Sequence, residues 1–466
     1  MLTKLGQKFT DLFTKYMPSA FVFALVLTLF TGTLAFAFTD ASTIDVITSW
    51  YKGFFDLLEF GMQITLIIVT GLSIALSPTI GRLIDKLADK ITSPVAVYII
   101  VVFTGALLSL ISFGWIVIAA VLARELAMRI KGINYPFLVA CVYFSGGSWV
   151  TGLSSSIPLL LNTENNFLIE GNILASVIPT SQTLGSNLNL IMLGVFLVIV
   201  PLIAYLIIPR ITGFRELKDM LIDKSPVKEL SITDESKGLK LPFKAASDSL
   251  NNSWVLQGLV GLMGVVFILY YFYNNGFNLN FNIMIFIFII VGLLLHKTPM
   301  CYSIAMKRSS SNISGILFQY PFYAGIMGIM LHTSLGTTIA DLISSVGTLD
   351  SYAFLAFVTG GAVNFAIPSG GGEFAVIGPS IIEGVKAIGV GLPPEQITEM
   401  VTRASLSIAY GESLTNLLQP FYLLIIFPVM GKGIKIQARD VMGYLVIPFI
   451  ILFVLEGLLV TYVPLN

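Results

Sequence analysis

The 466-residue chain is 56 % hydrophobic and only 11 % charged, less than half the roughly 25 % charge of soluble domains. So few charges cannot cover a water-soluble globule of this length, and lipid must cover much of it instead. Basic and acidic residues balance at 26 each, which leaves no electrostatic footprint for nucleic acid. Two Cys and two His exclude a disulfide framework or a zinc site.

Residues 5–16 (LGQKFTDLFTKY) alternate polar and apolar at helical spacing, so 1–18 reads as an interfacial amphipathic helix. A crossing needs about 20 apolar residues. Runs near that length occur at 19–38, 54–77, 188–208, 254–273, 280–295, 309–331 and 441–463, and two longer ones, 136–161 and 402–429, are interrupted by glycine and polar residues. The first is too long for a signal-peptide core. Two further zones, 95–128 and 351–386, break near the middle into arms too short to cross, and read as re-entrant hairpins. The fold class is an all-α polytopic membrane protein with about nine transmembrane helices and two hairpins.

Charge placement orients the chain. With the N-terminus cytoplasmic, every Lys and Arg except Lys52, Lys386 and Arg403 falls on the cytoplasmic side. Asp40, Asp45, Glu164, Glu170, Asp341 and Asp350 fall outside, and the C-terminus is external. The tally holds only if both hairpins return to their side of origin. The polar stretch 209–253 is a cytoplasmic linker. On either side of it the order repeats: in 19–208 two spans, hairpin 95–128, broken helix 136–161 and a span; in 280–466 two spans, hairpin 351–386, broken helix 402–429 and a span. The helix and outer loop 254–279 join them and reverse the entry side. Inverted repeats with interrupted helices in matching places point to a transporter site near the bilayer midplane.

The interruptions carry the chemistry. Segment 143–158 (YFSGGSWVTGLSSSIP) supplies Gly146, Gly147, Ser148, Thr151 and Ser154; segment 410–420 (YGESLTNLLQP) supplies Glu412, Ser413, Thr415 and Asn416. The first hairpin tip holds Ser112 and Gly114, and the second (NFAIPSGGGE, 364–373) holds Asn364, Pro368, Ser369, Gly370, Gly371 and Gly372. Unwound backbone at membrane depth must line a cavity or be buried in protein, and a helix starting after a glycine tip points free N–H groups at an anion. The candidate pocket therefore binds a small carboxylate, with Glu412, Asn416 and Asn364 as ion-coupling candidates. Glu373 stands between this pocket and outer water. Arg124 and Glu125 read as an interfacial ion pair, His296 and His332 as surface residues, and 318–323 (FQYPFY) as packing around a proline kink or a wall for an aliphatic tail. Cys141 and Cys301 have no His nearby in sequence and no His-Glu-x-x-His occurs, which disfavours an intramembrane enzyme. A passive anion channel remains the alternative to a carrier.

Stretches 60–71 (FGMQITLIIVTG), 293–299 (LLLHKTP), 319–325 (QYPFYAG), 364–372 (NFAIPSGGG) and 408–412 (IAYGE), with Gln419-Pro420, resemble the bacterial short-chain fatty acid transporter family of acetoacetate and butyrate permeases. That family is similar to a wider group of ion-coupled carriers with paired re-entrant hairpins. The resemblance implies a substrate site lined by 145–154, Ser369 to Gly372 and Glu412. It further implies coupling to Na⁺ or H⁺ with no other cofactor or metal, an elevator motion, a homodimer and an inner-membrane location.

Overall fold

The computed structural model describes residues 15, 18, 20–56, 58–111, 113–162, 166–170, 172–209, 215–222, 231–243, 245–276, 281–310, 313–365, 368 and 370–465. Nearly all of the helix expected at 1–18, and the tip residues Ser112 and Ser369, lie outside the described residues. Among those described, the secondary structure is helical with one isolated antiparallel bridge, Leu221–Ile434.

The principal helices of the first half are α1 (Ala20–Phe38), α2 (Thr43–Asp56), α3 (Leu58–Ala75), α4 (Pro94–Ile111), α5 (Ile116–Arg129), α6 (Tyr135–Ser145) and α7 (Asn187–Leu206). The joining helix is α8 (Trp254–Asn275). The second half holds α9 (Phe281–His296), α10 (Ser314–His332), α11 (Tyr352–Asn364), α12 (Gly370–Ile388), α13 (Pro394–Thr415), α14 (Leu423–Met430) and α15 (Val446–Tyr462). Among the described residues five helical stretches are long and apolar enough to cross a membrane, and the pair α13 and α14, bent by 46° at its break, makes a sixth. One of the five is α4, which at 18 residues is longer than the short arm expected there.

Both interrupted zones fold back on themselves. After α5 the chain brings Gly132 back beside Pro94, and the Asn134 N–H donates to the Tyr98 hydroxyl at 2.7 Å. Tyr352, Ala356 and Thr359 of α11 likewise share one crevice with Ile381, Val385 and Ile388 of α12. The crossing of α11 on α13 depends on missing side chains. A Cβ on Gly411 would lie 1.9 Å from the Phe357 carbonyl oxygen, and one on Gly360 2.6 Å from that of Ile408. Small residues let membrane helices approach to backbone contact, where dispersion replaces the absent hydrophobic drive.

Several expectations are corrected. Residues 43–56, read as outer loop and the start of a span, form α2, opened by reciprocal bonds between Ser42 and Asp45. Helix α2 lies against α10, with Gly53 facing Gly328. Phe322 packs there on Phe54, ring centroids 5.3 Å apart, so this aromatic takes part in the α2–α10 contact. Arg124 does not pair with Glu125; it donates to the carbonyls of Val429 at 2.8 Å and Lys432 at 2.7 Å, satisfying the open end of α14. Glu125 lies 3.9 Å from Arg129 instead. His296 is buried, with Nε2 2.7 Å from the Ser73 carbonyl, whereas His332 is exposed. The linker is fastened down: Arg215 pairs with Asp440 at 2.6 Å, its carbonyl accepts the Tyr135 N–H, and the Met220 carbonyl accepts the Lys435 N–H.

Backbone cannot move aside as a side chain can. Gly411→Ala is therefore expected to lose about 3 kcal/mol or more by overpacking, whereas Gly81→Ala, with nothing within 4 Å of the added carbon, stays within about 0.5 kcal/mol. Thermal unfolding of the purified variants in detergent measures both.

Candidate functional site

The first broken helix unwinds where its sequence turns to glycine and hydroxyls. Helix α6 ends at Ser145, a tight turn spans Gly146–Thr151, and a short helix resumes at Ser156–Leu161. At Gly152 a Cβ would sit 2.2 Å from the Leu110 carbonyl oxygen, so only glycine lets the end of α4 come this close. The tip is then stitched to the break: the Leu153 N–H donates to the Leu110 carbonyl at 2.8 Å, and the Phe113 N–H to Ser154 Oγ at 3.2 Å.

The second repeat builds the same join from different residues. Helix α13 ends at Thr415, Asn416–Leu418 form one tight turn, and Gln419 is extended before Pro420 as a pre-proline residue must be. Asn364, closing α11, donates from Nδ2 to the Glu412 carbonyl at 2.9 Å and to Thr415 Oγ1 at 2.8 Å. Gln419 Nε2 returns a bond to the Asn364 carbonyl at 3.2 Å.

The two breaks cross each other. The Tyr143 hydroxyl is shared between the carbonyls of Asn416, at 2.7 Å, and Gln419, and accepts the Tyr422 N–H at 3.2 Å. Ser413 Oγ donates to the Gly147 carbonyl at 3.0 Å, and Trp149 Nε1 to the Tyr422 hydroxyl at 2.7 Å. Tyr143 stacks on Tyr422 at 5.1 Å between centroids, and Phe113 of the first tip packs on Tyr422 at 4.9 Å. The second tip closes the ring: a Cβ on Gly370 would lie 2.5 Å from Glu412 Oε2 and 2.9 Å from Ser156 Oγ.

Gly146, Gly147, Ser154, Asn364, Gly370, Glu412, Ser413, Thr415 and Asn416 thus belong to one convergence of both tips and both breaks. Gly371, Gly372 and the buried Pro368 flank Gly370 there. Not every candidate points into it. Ser148 Oγ donates to the Ala106 carbonyl and so holds the first break on α4, whereas Thr151 Oγ1 donates to the Ser148 carbonyl and closes the turn of the break itself. Gly114 lies behind its tip, facing Gly71 of α3. Tyr143, Ser156, Gln419 and Tyr422 are not among the site residues expected from the sequence, although Tyr143, Ser156 and Gln419 lie within the two motifs.

Two carboxylates set the electrostatics. Glu373, in the first turn of α12, is fully buried and not at outer water, and neither of its oxygens has a partner. Glu412 is 2 % exposed, Asn416 stands beside it, and its Oε2 is likewise unpartnered. Among the described residues neither carboxylate forms an ion pair with a Lys or Arg. Buried charge without a partner is expensive, so this pair calls for a proton or a cation.

Several helices long and apolar enough to cross a membrane, with polar groups buried between them, mark a multi-pass helical membrane protein. The chain belongs to the short chain fatty acid transporter family, whose profile matches residues 1–463. A Haemophilus influenzae protein is 33 % identical over 95 % of this chain and 96 % of its own length, and an Escherichia coli protein 34 % identical over the same shares; both are named for short-chain fatty acid transport. The resemblance read from the sequence is thereby shown. Two solved structures match in outline at 14 % identity. One is the Alcanivorax borkumensis YdaH transporter (TM-score 0.44, 98 % of this chain and 99 % of that one), the other Neisseria gonorrhoeae MtrF (0.45, 97 % and 96 %).

Removing the Tyr143 hydroxyl strands the carbonyls it serves. Tyr143→Phe is expected to lose about 1–3 kcal/mol of stability, a drop that a thermal melt monitored by tryptophan fluorescence reads directly.

Proposed function

We propose that this protein is a secondary active carrier of short monocarboxylates such as acetate, butyrate or acetoacetate, coupled to Na⁺ or H⁺. The observation that carries this reading is the buried Glu373 and Glu412 at the N-terminal end of α12, with unpartnered carboxylate oxygens and, among the described residues, no ion-pair partner. A third carboxylate brought near them meets repulsion of about 3 kcal/mol per charge at 5 Å and an effective dielectric near 20. The anion therefore enters with compensating cations, and that obligation is what couples the fluxes. The N–H groups at Gly370 and Gly371 then face the substrate carboxylate, with Ser156 and Ser154 on the opposite wall. Glu412 and Glu373 hold the cation, while Asn364 and Asn416 position Glu412.

In this reading the chain crosses the inner membrane nine times, N-terminus cytoplasmic and C-terminus external. Hairpins α4–α5 and α11–α12 enter from opposite faces, and access alternates by an elevator movement within a homodimer. A passive channel fits the packing less well, because tips and breaks interlock through hydrogen bonds.

Purified protein in proteoliposomes is expected to accumulate labelled butyrate when an inward Na⁺ or H⁺ gradient is imposed. Glu412→Gln should still exchange butyrate across the membrane but accumulate none above equilibrium. Absence of uptake under both gradients, or undiminished accumulation by Glu412→Gln, contradicts the assignment.

A further inference from the structure

A third buried acid stands apart from the tip. Glu456 is the one charged residue in the apolar helix α15 (VIPFIILFVLEGLLVTY). It is 1 % exposed, and its Oε1 has no partner. The residue lines a small, partly open cavity of about 10 Å³ together with Phe144, Gly147, Phe196, Ser413, Leu417 and Leu452. Gly147 and Ser413 form one of the bonds that join the two breaks, so this cavity lies against the crossing.

The neighbours offer no compensation. Helix α15 packs on α7, α11 and α13. From α13, Tyr410 is beside Glu456, but its hydroxyl already donates to Asn189 Oδ1 of α7 at 2.9 Å. Arg403, further along α13, is engaged elsewhere: it donates to the Val460 carbonyl at 3.0 Å and lies 4.0 Å from Glu399, with Tyr352 of α11 beside it. From α11, Phe354 and Phe357 meet the adjacent Gly457. Among the described residues no charged group acts on Glu456.

We propose that Glu456 is a proton-binding site, distinct from the Glu373–Glu412 pair, that titrates with the making and breaking of the crossing between the two broken helices. A hard metal ion needs a shell of oxygens. Besides Glu456 the wall offers the Ser413 hydroxyl and the Gly147 carbonyl, already bonded to each other, and is otherwise hydrocarbon. A proton needs only the carboxylate oxygen itself. With the proton on, Glu456 is neutral and the cavity can stay dry and the crossing closed. With the proton released to water, the carboxylate must be hydrated, which requires Gly147 and Ser413 to part. Proton exchange at this residue is thus tied to the opening of the breaks, whichever cation the tip pair binds.

Infrared spectroscopy of the full chain in lipid nanodiscs tests this without any transport assay, so its outcome is separable from that of the butyrate experiment. At neutral pH the Glu373→Gln/Glu412→Gln double variant is expected to keep a protonated-carboxyl C=O stretch that shifts in D2O. Glu456→Gln should lack that component of the wild-type spectrum. A double variant with no such band, or a Glu456→Gln spectrum identical to wild type, overturns the proposal. Each comparison decides the question by itself if the other variant fails to fold.

Discussion

Backbone carbonyls and N–H groups released where a membrane helix breaks have no water to bond with and must be satisfied inside the protein. Here each broken helix is completed by the other repeat. The hydroxyl of Tyr143, on the first, serves the carbonyls of Asn416 and Gln419 on the second, and Ser413, on the second, serves Gly147 on the first. Neither break could persist alone in lipid. This mutual dependence brings the two halves together at one depth, and the glycines at 152, 370 and 411 then allow each tip and arm to close on them.

The same crossing fixes where charge can sit. Glu373 and Glu412 occupy its tip side, Glu456 its far side. Partly buried bases are engaged elsewhere: Arg124 holds the end of α14 and Arg403 a carbonyl of α15. Among the described residues these buried acids have no ion-pair partner, a setting that favours a proton or a cation beside them. In the proposed function, recognition by helix N–H groups and coupling by carboxylates would both follow from this one arrangement.

Much of this was legible in the sequence, because unwinding at membrane depth demands glycine and hydroxyl clusters and these stand out against apolar runs. The positions of both breaks and both tips, and Glu412 itself, were read from that contrast. Other features left no local trace. That Ser148 and Thr151 turn back to their own repeat, or that Tyr422 meets Trp149, depends on which helix lies opposite. His296 sits beside a basic loop in the sequence yet is buried because α9 presses it on Ser73. Helix α2 was missed because its acidic and polar start resembles a loop, and its partner α10 lies far along the chain. Glu456 could have been found: a lone carboxylate in an apolar span is a functional signal, and it was passed over because no motif surrounds it.

The central claim, that the second tip and the first break enclose the substrate, is tested most directly by accessibility at Ser156, which faces Gly370. A single cysteine placed there, with Cys141 and Cys301 changed to Ala, is treated with a membrane-impermeant maleimide in vesicles of either orientation. The account predicts labelling from both faces and at least severalfold protection by butyrate together with the coupling cation. Labelling from one face only, unchanged by butyrate, would contradict it.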